Sequence, residues 1–126
     1  MNMLIVEDDV DTASFIRYVL EIEEHHTVRA VSTADEARHA LNETKTDLII
    51  MDRHLPDQDG FALCREVKGR PDCLGVPVMF VSAAASTDEI QKGYDCGAGD
   101  YVSKPFGCQE LVDRVRLLLA GGRSCR

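Results

Sequence analysis

The chain has no tryptophan, few aromatics of any kind (6%), four prolines, and no apolar run near the length that crosses a bilayer. A membrane-spanning helix needs roughly 20 consecutive apolar residues, so an integral membrane protein of the helical type is not expected. Met1-Asn2-Met3 leads straight into an apolar strand instead of a charged and then apolar signal region, which points to a soluble cytoplasmic protein. Long proline, serine or glutamine tracts are missing, as is any repeat at a solenoid period, and this argues against disordered or array architectures. Positive charge is in deficit: 14 Lys and Arg stand against 22 Asp and Glu, a net charge of −8. A nucleic-acid backbone would be repelled, so direct nucleic-acid binding is not expected. The five cysteines (Cys64, Cys73, Cys96, Cys108, Cys125) are odd in number and show no C-x-x-C spacing. That argues against a disulfide framework and a zinc ribbon, and the expectation is reduced thiols, with Cys64 in the core.

What is present fits one globular domain, with 44% hydrophobic and 29% charged residues in 126 positions. Strand-like and helix-like patterns alternate throughout. Met3 to Val6 reads as a strand, and positions 11 to about 24 carry Phe15, Ile16, Val19 and Leu20 at helical spacing. Asp9 reads as a helix-start acid. Thr27 to Val31 is a second strand; Thr33 and Glu36 form a capping-box signal before Ala37, Ala40 and Leu41. A third strand spans 47 to 51 and ends at Asp52, and the loop His54-Leu55-Pro56-Asp57-Gln58-Asp59-Gly60 leads to a helix that turns Leu63, Cys64 and Val67 inward, with Pro71 blocking its continuation. A fourth strand, 77 to 81, reaches Ser82, and a helix with a poor apolar face runs from Thr87 to about Cys96, with Gly97 as its cap. Tyr101 to Ser103 is the last strand; the final helix buries Leu111, Val115, Leu118 and Leu119 and ends at Gly121-Gly122. Units of this size imply right-handed crossovers and a parallel sheet covered on both faces, an α/β doubly wound sheet rather than a barrel.

Such sheets gather the residues just past the C-terminal strand ends at one edge. Here that edge receives Glu7, Asp8, Asp52, Ser82 and Lys104. Nucleotide-binding relatives of this architecture place a glycine-rich loop after the first strand, whereas this chain has three acids there. Two carboxylates about 5 Å apart repel by roughly 3 kcal/mol at an effective dielectric of about 20, so a cluster of acids favours a divalent cation. Oxygen-only donors with several waters suit a hard ion, Mg²⁺ best, with Mn²⁺ as its substitute.

These residues carry a resemblance to the receiver domains of two-component response regulators. The matching elements are Val6-Glu7-Asp8-Asp9, Asp52 with Leu55-Pro56 and Asp59-Gly60, Val81-Ser82-Ala83, and Gly97-Ala98-Gly99-Asp100-Tyr101 leading to Lys104-Pro105-Phe106. The resemblance covers residues 3 to about 120 and implies a receiver domain over 1–120, with 121–126 a tail or the start of a linker. It implies a flavodoxin-like (βα)5 sandwich with strand order 2-1-3-4-5. It also implies that Asp52 is the phosphoacceptor, taking its phosphoryl group from a sensor histidine kinase or a histidine phosphotransfer domain. Asp8, Asp52 and the backbone carbonyl of His54 would bind Mg²⁺, with Glu7 acting through water. Lys104, the Ser82 hydroxyl and the Ala83 backbone would hold the phosphoryl group. Ser82 and Tyr101 would switch the face formed by the fourth helix, fifth strand and fifth helix, with the aromatic turning inward, and so address an output domain or effector protein. The domain would also dephosphorylate itself, and the Lys104-Pro105 peptide bond is expected to be cis.

Some positions depart from the common pattern. Ser82 stands where many relatives have threonine, His54 is unusual and is expected at the mouth of the site, and Ala84 opposite it offers no polar group to steer water. Either could modulate dephosphorylation. Lys92, Asp100, Glu110 and Arg114 fall where one transcription-factor subfamily forms intermolecular salt bridges, which leaves a phosphorylation-promoted homodimer open. Two competing classes remain at the level of sequence: a receiver-fold docking module that never uses Asp52, and an FMN-binding electron carrier, which the acidic first loop and the lack of tryptophan disfavour. A stand-alone regulator and one domain of a longer protein are both compatible with the chain.

Overall fold

The computed structural model describes residues 1–121. Five strands, β1 (Asn2–Val6), β2 (Thr27–Val31), β3 (Leu48–Met51), β4 (Val78–Ser82) and β5 (Asp100–Ser103), form one sheet in the order β2-β1-β3-β4-β5. Every pairing is parallel. The helices between them are α1 (Val10–Tyr18), α2 (Ala34–Glu43), α3 (Gly60–Lys68), α4 (Thr87–Asp95) and α5 (Cys108–Leu119). Strand side chains alternate between two cores because successive residues face opposite sides of a sheet. Met3 and Ile5 pack with α1 and α5, whereas Leu4 and Val6 pack with α2, α3 and α4.

The expected elements are all present, with boundaries displaced by a residue or two. Three details differ. The first helix changes at Val19 to one π-type turn (Val19–Glu23), which still buries Val19 and Leu20. Phe15 is not core: it is 38% exposed and its ring packs on Phe106, 5.9 Å away, so α1 buries a narrower stripe than the spacing suggested. In α5 the buried positions are Leu111, Val112, Val115 and Leu118, while Leu119 is only half-buried. The Lys104-Pro105 bond is cis. Cys64, Cys73 and Cys96 are buried and Cys108 is exposed; burial pushes the Cys64 thiol up to about 12. Cys125 and the tail from 122 lie outside the described residues.

Two features fix the loop after β3. Gly60 opens α3 so close to this loop that a Cβ there would sit 2.4 Å from the Asp52 carbonyl oxygen, and its N–H donates to the Arg53 carbonyl at 2.7 Å. Asp57 reaches across to α2, where its carboxylate accepts from the Ala34 and Asp35 N–H groups at 2.8 and 3.0 Å. Thr33 accepts from Glu36 N at 3.1 Å, so these side chains satisfy three N–H groups of the first turn of α2. Glu36 closes the turn by accepting from the Ser32 N–H at 3.0 Å. Among the described residues no helix is long and apolar enough to cross a membrane.

Replacing Gly60 with alanine should cost about 1–3 kcal/mol in urea unfolding, because the added methyl must displace the backbone of the loop after β3. An unchanged unfolding midpoint would contradict this tight contact.

Candidate functional site

The sheet changes direction of growth between β1 and β3, since the chain leaves β1 for β2 on one side and returns to β3 on the other. The C-terminal ends of those two strands border the crevice where open α/β sheets bind ligands. The ladder extends into the site: Glu7 N donates to Val31 O at 2.9 Å, Asp52 N to Val6 O at 3.0 Å, and Lys104 N to Ser82 O at 3.0 Å. Sheet hydrogen bonds thus hold three of the site residues at backbone level.

Glu7, Asp8 and Asp52 each present a carboxylate oxygen, all within 4.8 Å of one another. Glu7 is 3% exposed and Asp52 8%, while Asp8 lies open to solvent. The Lys104 ammonium enters this cluster, 2.7 Å from Glu7 Oε1 and 3.1 Å from Asp52 Oδ2. Burial pulls the lysine down, but its hydrogen bonds to Glu7 and Asp52 outweigh that and hold it above its ordinary value. The partner responds in the opposite sense. Burial pushes Glu7 up to about 7 and Asp52 adds repulsion, so the hydrogen bond to Lys104 does not restore an ordinary carboxylate. One ammonium is stabilised by two acids; each acid has only a share of one ammonium. The donor set is all oxygen, and three converging carboxylates against a single lysine fit a hard divalent ion such as Mg²⁺.

The remaining expected residues fall around this cluster. His54 is exposed beside it, and its backbone N–H lies 3.3 Å from Asp52 Oδ1. Ser82 is fully buried, its hydroxyl accepting from Ala84 N at 3.2 Å; Ala83 is exposed and Ala84 half-buried. Asp9 caps α1 by accepting from Thr12 N at 3.1 Å, as a helix-start acid should.

Tyr101 was expected to turn inward on switching; in this structure its ring lies inward: it is 5% exposed, lies 5.7 Å from Phe80, and donates its hydroxyl to the Ala84 carbonyl. Burial pushes the Tyr101 phenol up. Gly93 makes the room, since a Cβ at that position of α4 would lie 2.7 Å from the Tyr101 ring. The four charges expected at a dimer face divide in two. Lys92 and Glu110 are exposed, but Asp100 is fully buried and is paired with Arg114 inside the chain, where it also accepts from Tyr101 N at 2.7 Å. Asp100 is therefore a bracket between β5 and α5 rather than a surface charge.

Sequence reasoning missed Gly93, Asp57, Arg53 and Glu89. A glycine inside a helix that carries no turn was the one visible signal, because such a position costs about 1 kcal/mol against alanine and asks for a packing reason.

The sequence and its structure were compared with known proteins. Residues 3–116 match the family model described as the response regulator receiver domain. The chain is 37% identical over 118 residues to the phosphate regulon transcriptional regulatory protein PhoB of Rhizobium meliloti, covering 94% of this chain and 52% of that protein. It is 35% identical to the DNA-binding response regulator MtrA of Mycolicibacterium smegmatis, covering 94% and 50%. The chain thus spans about half the length of the curated relatives it matches. A crystal structure of a response regulator from Chloroflexus aurantiacus superposes with a TM-score of 0.89 at 34% identity, covering 94% of this chain and 97% of that one.

Two measurements check this geometry. In metal-free protein the protonated Glu7 stabilises the fold; that contribution is complete below about 4.5 and is lost as pH rises through about 7. Urea unfolding of wild type should therefore weaken across this window by up to about 3 kcal/mol relative to Glu7→Gln, and parallel profiles would contradict the burial argument. Gly93→Ala, which would favour an ordinary helix, should instead drive the Tyr101 ring outward, seen as weakened NMR contacts between the Tyr101 and Phe80 rings.

Proposed function

The chain belongs to the response regulator receiver family of two-component signalling, and on that premise we propose that it is a Mg²⁺-dependent phosphoacceptor whose nucleophile is Asp52. The observation that carries this reading is the position of the Asp52 carboxylate: at the end of β3, 3.1 Å from the Lys104 ammonium and among the carboxylates of Glu7 and Asp8. Asp8, Asp52 and the His54 carbonyl would hold the ion, with Glu7 acting through water. Bound there, Mg²⁺ (or Mn²⁺) supplies positive charge to the oxygens of the transferring group.

The chain's own residues do the rest. An Asp52 oxygen attacks phosphorus in line, the phosphorus–nitrogen bond of a phosphohistidine breaks, and the histidine nitrogen leaves with the bonding pair. Phosphoryl transfer of this kind depends on positioning and charge neutralisation more than on acid–base chemistry. Lys104 neutralises the new charge, and the Ala83 N–H and Ser82 hydroxyl face it. The donor is a sensor histidine kinase or a histidine phosphotransfer domain. Water attacking the same phosphorus in line resets the domain, and His54 and Ala84 flank its approach. The response passes through α4, β5 and α5 to an output domain or effector protein, with Ser82 and Tyr101 as the reporting side chains.

One observation favours a second reading. Tyr101 already lies inward, as a constitutively docking module would have it. The same experiment decides between the two. Incubated with acetyl phosphate and Mg²⁺, wild type should acquire hydroxylamine-labile phosphate that does not form when EDTA is present and is absent from Asp52→Asn. Equal labelling of both proteins would refute Asp52 as the acceptor, and no labelling of either would favour the docking module.

A further inference from the structure

One pair of charges beside the site has no part in the chemistry above. Arg53 directly follows the acceptor, and its side chain crosses to the first turn of α4, where Nε lies 2.9 Å from Glu89 Oε2. Only 19% and 23% of these two side chains remain exposed. The facing atoms are buried and off-axis for a hydrogen bond, so the contact is an ion pair. The guanidinium also lies over the Phe61 ring at 4.6 Å, and Asp59 Oδ2 stands 3.6 Å from its Nη2. Exposed ion pairs contribute little, but this one is shielded from water and backed by an aromatic face, where the attraction is less screened.

Glu89 belongs to the turn that starts at Ser86, whose hydroxyl accepts from Glu89 N at 3.2 Å. Residues 83–86 join β4 to this turn and include the Ala83 and Ala84 lip of the site. Tyr101 holds this loop near its middle through the Ala84 carbonyl, and Arg53 holds its far end through Glu89. The second anchor is covalently continuous with the acceptor. A shift of the Asp52 backbone therefore reaches α4 through Arg53 alone.

We propose that Arg53 is a positioning residue: its grip on Glu89 holds the β4–α4 loop against the acceptor loop, so that Ser82 and Ala83 face the group carried by Asp52. This rests on the reading of Asp52 as phosphoacceptor. The grip acts on the phosphoryl contacts and not on the cation, whose proposed ligands come from the end of β1 and from the acceptor loop.

The test uses the whole chain with beryllofluoride and Mg²⁺, a phosphoryl-group probe followed by fluorine NMR, together with Mg²⁺ binding alone. Glu89→Gln should bind beryllofluoride about fivefold or more weakly with Mg²⁺ affinity unchanged, and adding Arg53→Gln should cost little more. Equal beryllofluoride affinity in Glu89→Gln and wild type overturns the proposal, as does a parallel loss of Mg²⁺ affinity or an additive loss in the double variant. A wild type that binds Mg²⁺ but no beryllofluoride would instead count against the phosphoacceptor reading. The strap is then read from amide exchange over residues 87–90: faster exchange in Glu89→Gln supports it, and unchanged exchange overturns it.

Discussion

Glu7 and Asp52 compete for one ammonium, and the rest of this edge is arranged around that shortage. Parallel strands end on the same side, and the order β2-β1-β3-β4-β5 sets the ends of β1 and β3 side by side. Carboxylates delivered there cannot separate without breaking the ladder that holds Glu7 to Val31 and Asp52 to Val6. Relief has to come from outside the backbone. Lys104 provides part of it, and the raised Glu7 shows that the relief is incomplete. A divalent cation would supply the remainder, so an arrangement that is costly when empty suits a metal ion.

Keeping that arrangement rigid occupies many residues that touch no ligand. Gly60 lets α3 start against the backbone of the loop after β3, and Asp57 pins the same loop to α2 by capping its first turn. Arg38 of α2 adds a further clamp through its ion pair with Glu66 of α3, 2.6 Å apart. On the opposite side, Tyr101 and Arg53 hold the β4–α4 loop, and the buried Asp100 ties β5 to Arg114 of α5. The face formed by α4, β5 and α5 is thus linked to the acid cluster by named contacts with two ends each. Whether a state at Asp52 is felt at α4 depends on these contacts and not on distance alone.

Most of this was legible in the sequence because the strongest signals are local. Apolar runs that end in acids marked the strands and their functional ends, and five motifs in register marked the family. Asp8, Asp52, Ser82 and Lys104 were identified by their place after a strand, which needs no knowledge of tertiary contacts. What could not be read depended on contacts between distant residues. The exposure of Phe15 depends on where Phe106 lies, and the burial of Asp100 on the reach of Arg114 from the next helix. The inward Tyr101 depends on the missing side chain at Gly93, and the Arg53–Glu89 pair joins residues 36 positions apart whose charges look like any other solvated ions in the sequence.

On this reading the acids gathered at the ends of β1 and β3 form one hard-cation site, and the decisive experiment is calorimetric titration of the chain with Mg²⁺ near pH 7, in two buffers with different protonation enthalpies. Binding of a single ion, with protons released as Glu7 ionises and with affinity lost in Asp8→Asn, is the predicted result. No saturable binding, or equal binding by Asp8→Asn, would contradict the account.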